Sequence, residues 1–384
     1  MHRPKHGGNL AWAAAVAGCH PSAIVDFSAS ISPLGPPESA LAAIIAHLED
    51  TRNYPDLEYS ELRAILAKAH HLSSDWILPG NGSAELLTWA ARELSLLDAT
   101  YLVTPAFGDY FRALAAFNAK VLKWPLSSVS GQWCRGEAFG YKHMEVTEKA
   151  SPSCFARTSA LEQLTADNGQ LTNSGLLLNN PHNPTGQLFL RETILPFLEQ
   201  FALVVLDEAF MDFVPPDQQQ SLIGWVQEYP NLVILRSLTK FYSLPGLRLG
   251  YAIAHPERLR LWQQWRDPWP VNVLATAAAI AALQDKLFEQ QTWDWLNAAK
   301  PQLFQGLAQI PGLHPYPSAA NFLLVKSEQS SVEIQENLLK HSRILIRDCL
   351  SFPELGSSFF RVAVRSPADN QRLVEGLKLV IGNG

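Results

Sequence analysis

Three apolar runs, each ending in polar residues, constrain this chain most. Gly175-Leu-Leu-Leu178 runs into Asn179-Asn-Pro-His-Asn183-Pro-Thr-Gly186, Ala202-Leu-Val-Val-Leu206 into Asp207-Glu208, and Asn231-Leu-Val-Ile-Leu-Arg236 into Ser237-Leu-Thr-Lys240. Short runs that are apolar throughout predict strands buried on both faces. A helical pattern over 191–201 separates the first two. Strand, helix and strand in succession predict a mainly parallel sheet. Such sheets carry their chemistry at the carboxyl ends of the strands, where this chain places Asn183, Asp207 and Lys240.

Lys240 sits among small, hydroxylated and apolar residues, with Ser237 three before it and Arg248 eight after. A partly dry strand end lowers the pKa of an ammonium and makes it a usable nucleophile. A serine hydroxyl and an arginine fork suit a phosphate. The three together fit a cofactor with an aldehyde and a phosphate, pyridoxal 5'-phosphate (PLP); the plain alternative is a surface lysine. Gly80-Asn-Gly82-Ser83-Ala84, ahead of a helical pattern over 86–97, is a second anion-binding candidate, because backbone N–H groups are free at a helix start. An ordinary helix cap is its alternative. Phe107 follows the strand pattern Thr100-Tyr-Leu-Val103 and could stack on a flat ring or pack in the core.

The 384 residues, 47% hydrophobic and 17% charged, can bury a large core. A net charge of −6 gives no basic surface for nucleic acid or an anionic membrane. The four cysteines, Cys19, Cys134, Cys154 and Cys349, form no CxxC pair and have no metal-ligand spacing. The N-terminus is polar, and the apolar run 273–283 is too short to span a bilayer. A soluble cytoplasmic protein is expected. Residues 1–40 read as an arm, 41–272 as a large α/β domain and 273–384 as a smaller α+β domain. Helices are expected over 10–17, over 38–50 with apolar positions Leu41, Ile44, Ile45 and Leu48, and over 61–70. Residues 125–173 lack a clean period and read as an excursion.

Taken in order, Gly80-Asn-Gly-Ser83, Asn179 to Gly186, Asp207-Glu-Ala-Phe210 and Ser237-Leu-Thr-Lys240 with Arg248 resemble the motif series of fold-type I PLP-dependent enzymes, aminotransferase class I/II, over nearly the whole chain. The resemblance implies PLP as cofactor, an α/β fold with a large mainly parallel sheet and a smaller α+β domain, and a homodimer. It implies that Lys240 joins covalently to the cofactor aldehyde and later moves protons. Asp207 would pair with the pyridine nitrogen and keep it protonated, so that the ring accepts electrons. Asn183 would bond the phenolic oxygen and Phe107 would stack on the ring. Gly82, Ser83, Ser237 and Arg248 would hold the phosphate, with Ala84 possible in place of Gly82. Tyr54, in the turn Asn53-Tyr-Pro-Asp56, would reach that phosphate from the neighbouring subunit. Arg361 would grip the α-carboxylate of the substrate.

Within the family the resemblance is to two branches that handle phosphorylated amino compounds, one transaminating histidinol phosphate and one decarboxylating threonine phosphate. Three features favour the decarboxylating branch. The start His6-Gly-Gly-Asn9, with Asp26-Phe-Ser28 and Pro33-Leu-Gly35, resembles its N-terminal arm. Phe210 stands where transaminases place a tyrosine. The tail Ile346-Arg347-Asp-Cys349 with Phe360-Arg361-Val-Ala-Val-Arg365 resembles its double-arginine ending. Arg347 and Arg365, with His6, would then bind the phosphate or carboxylate of a small phosphorylated amino acid. Ser30 and Ser32 depart from this pattern, which has asparagines there.

Overall fold

A computed structural model describes residues 3–4, 6–126 and 171–382. The chain opens with the helix Leu10–Ala17 and a two-residue strand, β1 (Val25–Asp26). Next come the helices Glu38–Ala46 and Ser60–His70, then β2 (Ile77–Asn81), the helix Ser83–Leu94, β3 (Ala99–Thr104), the helix Gly108–Ala115 and β4 (Val121–Pro125). After the excursion come β5 (Ser174–Asn179), the helix Arg191–Leu198, β6 (Leu203–Asp207), β7 (Leu232–Ser237) and β8 (Leu249–Ala254). Residues 127–170, most of the excursion with Cys134 and Cys154, lie outside the described residues.

These seven strands, β2 to β8, make one sheet in the order β2-β8-β7-β6-β5-β3-β4. β8 runs antiparallel to both its neighbours and every other pair is parallel. β5, β7 and β8 are buried at every position, as continuous apolar runs require when helices cover both faces. The helix Ser83–Leu94 shows the matching helical logic, burying Leu86, Leu87, Ala90, Ala91 and Leu94 along one stripe.

The remainder builds a four-stranded antiparallel sheet. Its members are β9 (Leu313–Pro315), β10 (Phe322–Ser327), β12 (Arg347–Asp348) and β13 (Phe359–Ala363), in the order β12-β13-β10-β9. A separate strand, β11 (Ile344–Leu345), pairs in parallel with β1 of the arm. The arm therefore packs on the chain's own body, with its helix Leu10–Ala17 against the helix Ser331–Ser342. Two helices follow the large sheet, Val273–Gln284 and Lys286–Ala308. The first packs on the helices Glu38–Ala46 and Ser60–His70, the second against β9 and the closing helix Pro367–Gly382. No helix among the described residues is long and apolar enough to cross a membrane.

The segment 38–50 also differs from expectation. Its α-helix stops at Ala46, and a 3-10 turn over Leu48–Arg52 continues it. Only Ala40 is buried there, while Leu41, Ile45 and Leu48 are 44%, 70% and 51% exposed. Nearby Tyr54, 78% exposed, stacks on Trp269 at 4.3 Å.

Candidate active site

Parallel register brings three polar residues to one edge of the large sheet. Asn179 pairs with Asp207, Asp207 with Leu235, and Ser237 lies two residues further along β7. Asp207 closes β6 with both carboxylate oxygens engaged. Oδ2 accepts a hydrogen bond from the Tyr110 hydroxyl at 2.8 Å and Oδ1 accepts one from the Ala209 N–H at 2.9 Å. Burial pushes the Asp207 carboxyl up from its ordinary range, opposed by the Lys240 ammonium and the Tyr110 bond. Lys240 Nζ lies 3.4 Å from Ser237 Oγ and 3.3 Å from Thr239 Oγ1, and 5.3 Å from the Phe210 ring centre. Burial pulls the Lys240 pKa down; Asp207 opposes this, while Arg248 and Arg361 add to it. The lysine is thus made less basic by its surroundings, as nucleophilic and proton-transfer work requires.

A candidate anion cradle, the helix start at Gly82 with the Arg248 guanidinium, lies near this lysine. Gly82 caps the helix Ser83–Leu94 with φ 75°, a conformation that favours glycine. A Cβ there would meet Arg248 Nη2 at 2.6 Å, so its absence lets the guanidinium lie against the helix start. Gly250 is equally constrained, since its Cβ would meet Ser83 N at 2.5 Å. β8 can therefore press against the helix start and bring Arg248 with it. Glu85, the acid of the first turn, is folded back, accepting from Asn81 N at 2.7 Å and Trp89 Nε1 at 2.9 Å. The cradle keeps its positive character from Arg248 and the helix dipole.

On the small sheet, antiparallel register sets Arg347 directly opposite Arg361. Both are over nine-tenths buried. Like charges opposite one another on adjacent strands oppose folding unless an anion lies between them. Burial first, and then Arg347, push the Arg361 guanidinium down to about 10. Arg361 donates to Asn183 Oδ1 and lies 4.6 Å over the Phe322 ring, whose centre is 5.1 Å from that of Phe210. Arg347 donates to Ser351 Oγ at 2.6 Å. The two sheets meet here, with Arg361 bonded to Asn183 and close enough to Lys240 to act on its charge.

Residues 22–377 match the family described as aminotransferase class I and II. Threonine-phosphate decarboxylase of Salmonella typhimurium is 38% identical over 98% of this chain and 96% of its own length. Histidinol-phosphate aminotransferase of Symbiobacterium thermophilum is 33% identical over 94% of this chain and 91% of its own. The chain is a member of the class I/II aminotransferase family. The crystal structure of the histidinol-phosphate aminotransferase from Clostridium acetobutylicum superposes with a TM-score of 0.78 at 25% identity, covering 93% of this chain and 99% of that one.

Members of the class I/II aminotransferase family use PLP, and the residues present fit that group. The Gly82 cradle with Arg248 suits its phosphate, Lys240 its aldehyde, and Asp207 a protonated ring nitrogen. A buried carboxylate whose ionisation is disfavoured gains from such a cation. Phe107, half-buried at the start of the helix Gly108–Ala115, stands edge-on to Tyr110 at 5.8 Å and to His6 at 5.9 Å. Ser83 and Ala84 open the helix behind Gly82. Ser32, in the divergent arm turn, reaches the lysine loop through its backbone: its N–H donates to the Lys240 carbonyl at 3.0 Å, and its own carbonyl accepts from Ser243 Oγ at 2.7 Å.

Two expected site residues stand apart. Arg365 is tied to Asp369 at 3.1 Å and to the Asp26 carbonyl at 3.2 Å, with its guanidinium 5.7 Å over the Phe27 ring. These contacts brace the arm. Tyr54 points outward. Tyr110 and Thr239 are additions to the expected set. The signal for Tyr110 was its spacing, three residues after Phe107, which puts both on one face of the helix start.

Proposed function

We propose that this chain is a PLP-dependent carboxy-lyase that converts L-threonine O-3-phosphate to (R)-1-amino-2-propanol O-phosphate, a step of cobalamin biosynthesis. The observation that carries the reading is the likeness, over nearly the full length of both chains, to the Salmonella typhimurium protein named threonine-phosphate decarboxylase. The opposed arginines support it, because the substrate carries two anions, a carboxylate and a phosphate.

When bound, PLP supplies a ring that accepts the electron pair left at the substrate Cα. Asp207, held by Tyr110 and the Ala209 N–H, would keep a proton on the ring nitrogen. Lys240 Nζ would carry a proton to Cα once carbon dioxide has left. Gly82, Ser83, Ser237 and Arg248 would hold the cofactor phosphate, and Phe107 and Asn183 the ring and its phenolic oxygen. Arg361 would fix the substrate carboxylate, and Arg347 with His6 its phosphate. With both anions anchored, Arg361 and Arg347 would fix the rotation of the substrate about Cα, and with it the choice between losing carbon dioxide and losing a proton.

The second reading is histidinol-phosphate transamination, since relatives with that name align over almost as much of the chain. Phe210 favours the lyase: its ring packs on Phe322 and beneath Lys240 and offers no hydroxyl to the cofactor. Purified protein given L-threonine O-3-phosphate and no keto acid is expected to release carbon dioxide. Failure to do so, with glutamate formed from histidinol phosphate and 2-oxoglutarate, would establish the transferase instead.

We further propose a cytoplasmic homodimer. The apolar residues Leu41, Ile45 and Leu48, left open on one chain, are the surface a second copy would cover. Tyr54, which projects beside them, would reach the partner's cofactor phosphate.

A further inference from the structure

Arg3 is fastened to the small-sheet side of the site. Its Nη2 lies 2.6 Å from Glu336 Oε1 and its Nη1 3.1 Å from Asp348 Oδ2, and Nη1 also donates to Gln335 Oε1. The guanidinium stands 5.6 Å from the Trp12 ring centre. These partners are themselves fixed around Arg347: Asp348 follows it in β12, and Gln335 Nε2 donates to the Ile346 carbonyl at 2.7 Å. On the other side of His6, the Gly8 N–H donates to Ser28 Oγ at 2.7 Å, and Asn9 Oδ1 caps the helix Leu10–Ala17 through Trp12 N at 2.9 Å. His6 is therefore placed between two anchors. It stands edge-on to Phe107 on the large-sheet side and lines a small cleft with Arg347 and Asp348.

We infer that Arg3 is a positioning residue for substrate specificity. Docked on Glu336, Gln335 and Asp348, it holds His6 where the substrate's phosphate binds. This rests on the reading that Arg347 and His6 take that phosphate. Without Arg3 the chain start has one anchor, and His6 must be ordered anew each time substrate binds. The effect belongs to binding of the phosphate end and not to the reacting bond, so it appears in KM and not in kcat.

The test uses the PLP-loaded enzyme and three variants, Arg3→Ala, His6→Ala and the double variant. Arg3→Ala is expected to raise KM for L-threonine O-3-phosphate, and the inhibition constant of inorganic phosphate, roughly tenfold, the loss that one side chain left to be ordered brings. The turnover number stays within about twofold, because the reacting centre is untouched. With His6 already replaced, removing Arg3 has no further effect. An unchanged KM, an equal fall in kcat, or losses that add in the double variant would overturn the inference. A wild-type protein that releases no carbon dioxide would instead overturn the reading of function. Calorimetric titration with inorganic phosphate would then still decide the role of Arg3.

Discussion

Arg361 donates a hydrogen bond to Asn183 Oδ1, and this contact ties the small sheet to the loop after β5. The residue proposed to take the substrate carboxylate is thus bonded to the residue proposed for the cofactor's phenolic oxygen. Arg361→Ala is expected to lower kcat/KM by the equivalent of about 2–5 kcal/mol, the cost of truncating one partner of a buried charge pair. Asn183→Ala should cost less, and the double variant should show a coupling of roughly 0.5–3 kcal/mol. Steady-state kinetics on the four proteins would measure it, and strictly additive losses would contradict the coupling.

Tyr110→Phe keeps the ring and removes only the donor to Asp207 Oδ2. Leaving a buried acceptor unsatisfied costs about 1–3 kcal/mol. PLP affinity, followed by fluorescence titration of the cofactor-free protein, is expected to fall while the fold is kept. An unchanged PLP affinity would show that Tyr110 only fills space.

Asp207 also predicts a pH dependence. Its folded pKa is raised above the ordinary 3.8 by burial. The stability this contributes is therefore fully present below the unfolded pKa, and is lost as pH rises through the folded one. Asp207→Asn lacks that loss. In urea unfolding of the cofactor-free proteins, the variant should gain on the wild type as pH rises from the unfolded value toward neutrality. A difference that stays flat, or reverses, would contradict the raised pKa.

Ile45→Asp puts a charge on the apolar surface beside Leu41 and Leu48. If a second copy covers that surface, light scattering should show a dimer for the wild type and a monomer for the variant. PLP binding should weaken with it, because Tyr54 of the other chain is lost. A wild-type monomer that holds PLP fully would contradict the dimer.

The legible parts of this molecule were those written in local pattern. β5, β6 and β7 stand out because each is an unbroken apolar run, and Asn183, Asp207 and Lys240 stand out because each follows one. β2 was not legible as a strand, since Pro79-Gly80-Asn81 has the composition of a turn, yet it pairs with β8 at the sheet edge. β4, at the opposite edge, mixes Lys123 and Pro125 with apolar residues and is largely uncovered, so it lacks a buried strand's signature. The helix Glu38–Ala46 has the apolar residues of a core helix but turns several of them outward. Nothing local records which of them turn outward. The bonds that hold the site are longer-range still. Tyr110 meets Asp207 across 97 residues, Arg361 meets Asn183 across 178, and Arg365 meets Asp26 across 339. A motif names the residues, and only the packing of two sheets decides which of them touch.

The account depends above all on Lys240 being the amine that carries PLP. Borohydride reduction of the cofactor-loaded protein fixes that bond, and trypsin does not cut at the modified lysine. The predicted result is a phosphopyridoxyl mass on the uncleaved peptide running from Ser237 to Arg248. The same mass on a different lysine, or a protein that takes up no label after incubation with PLP, would contradict it.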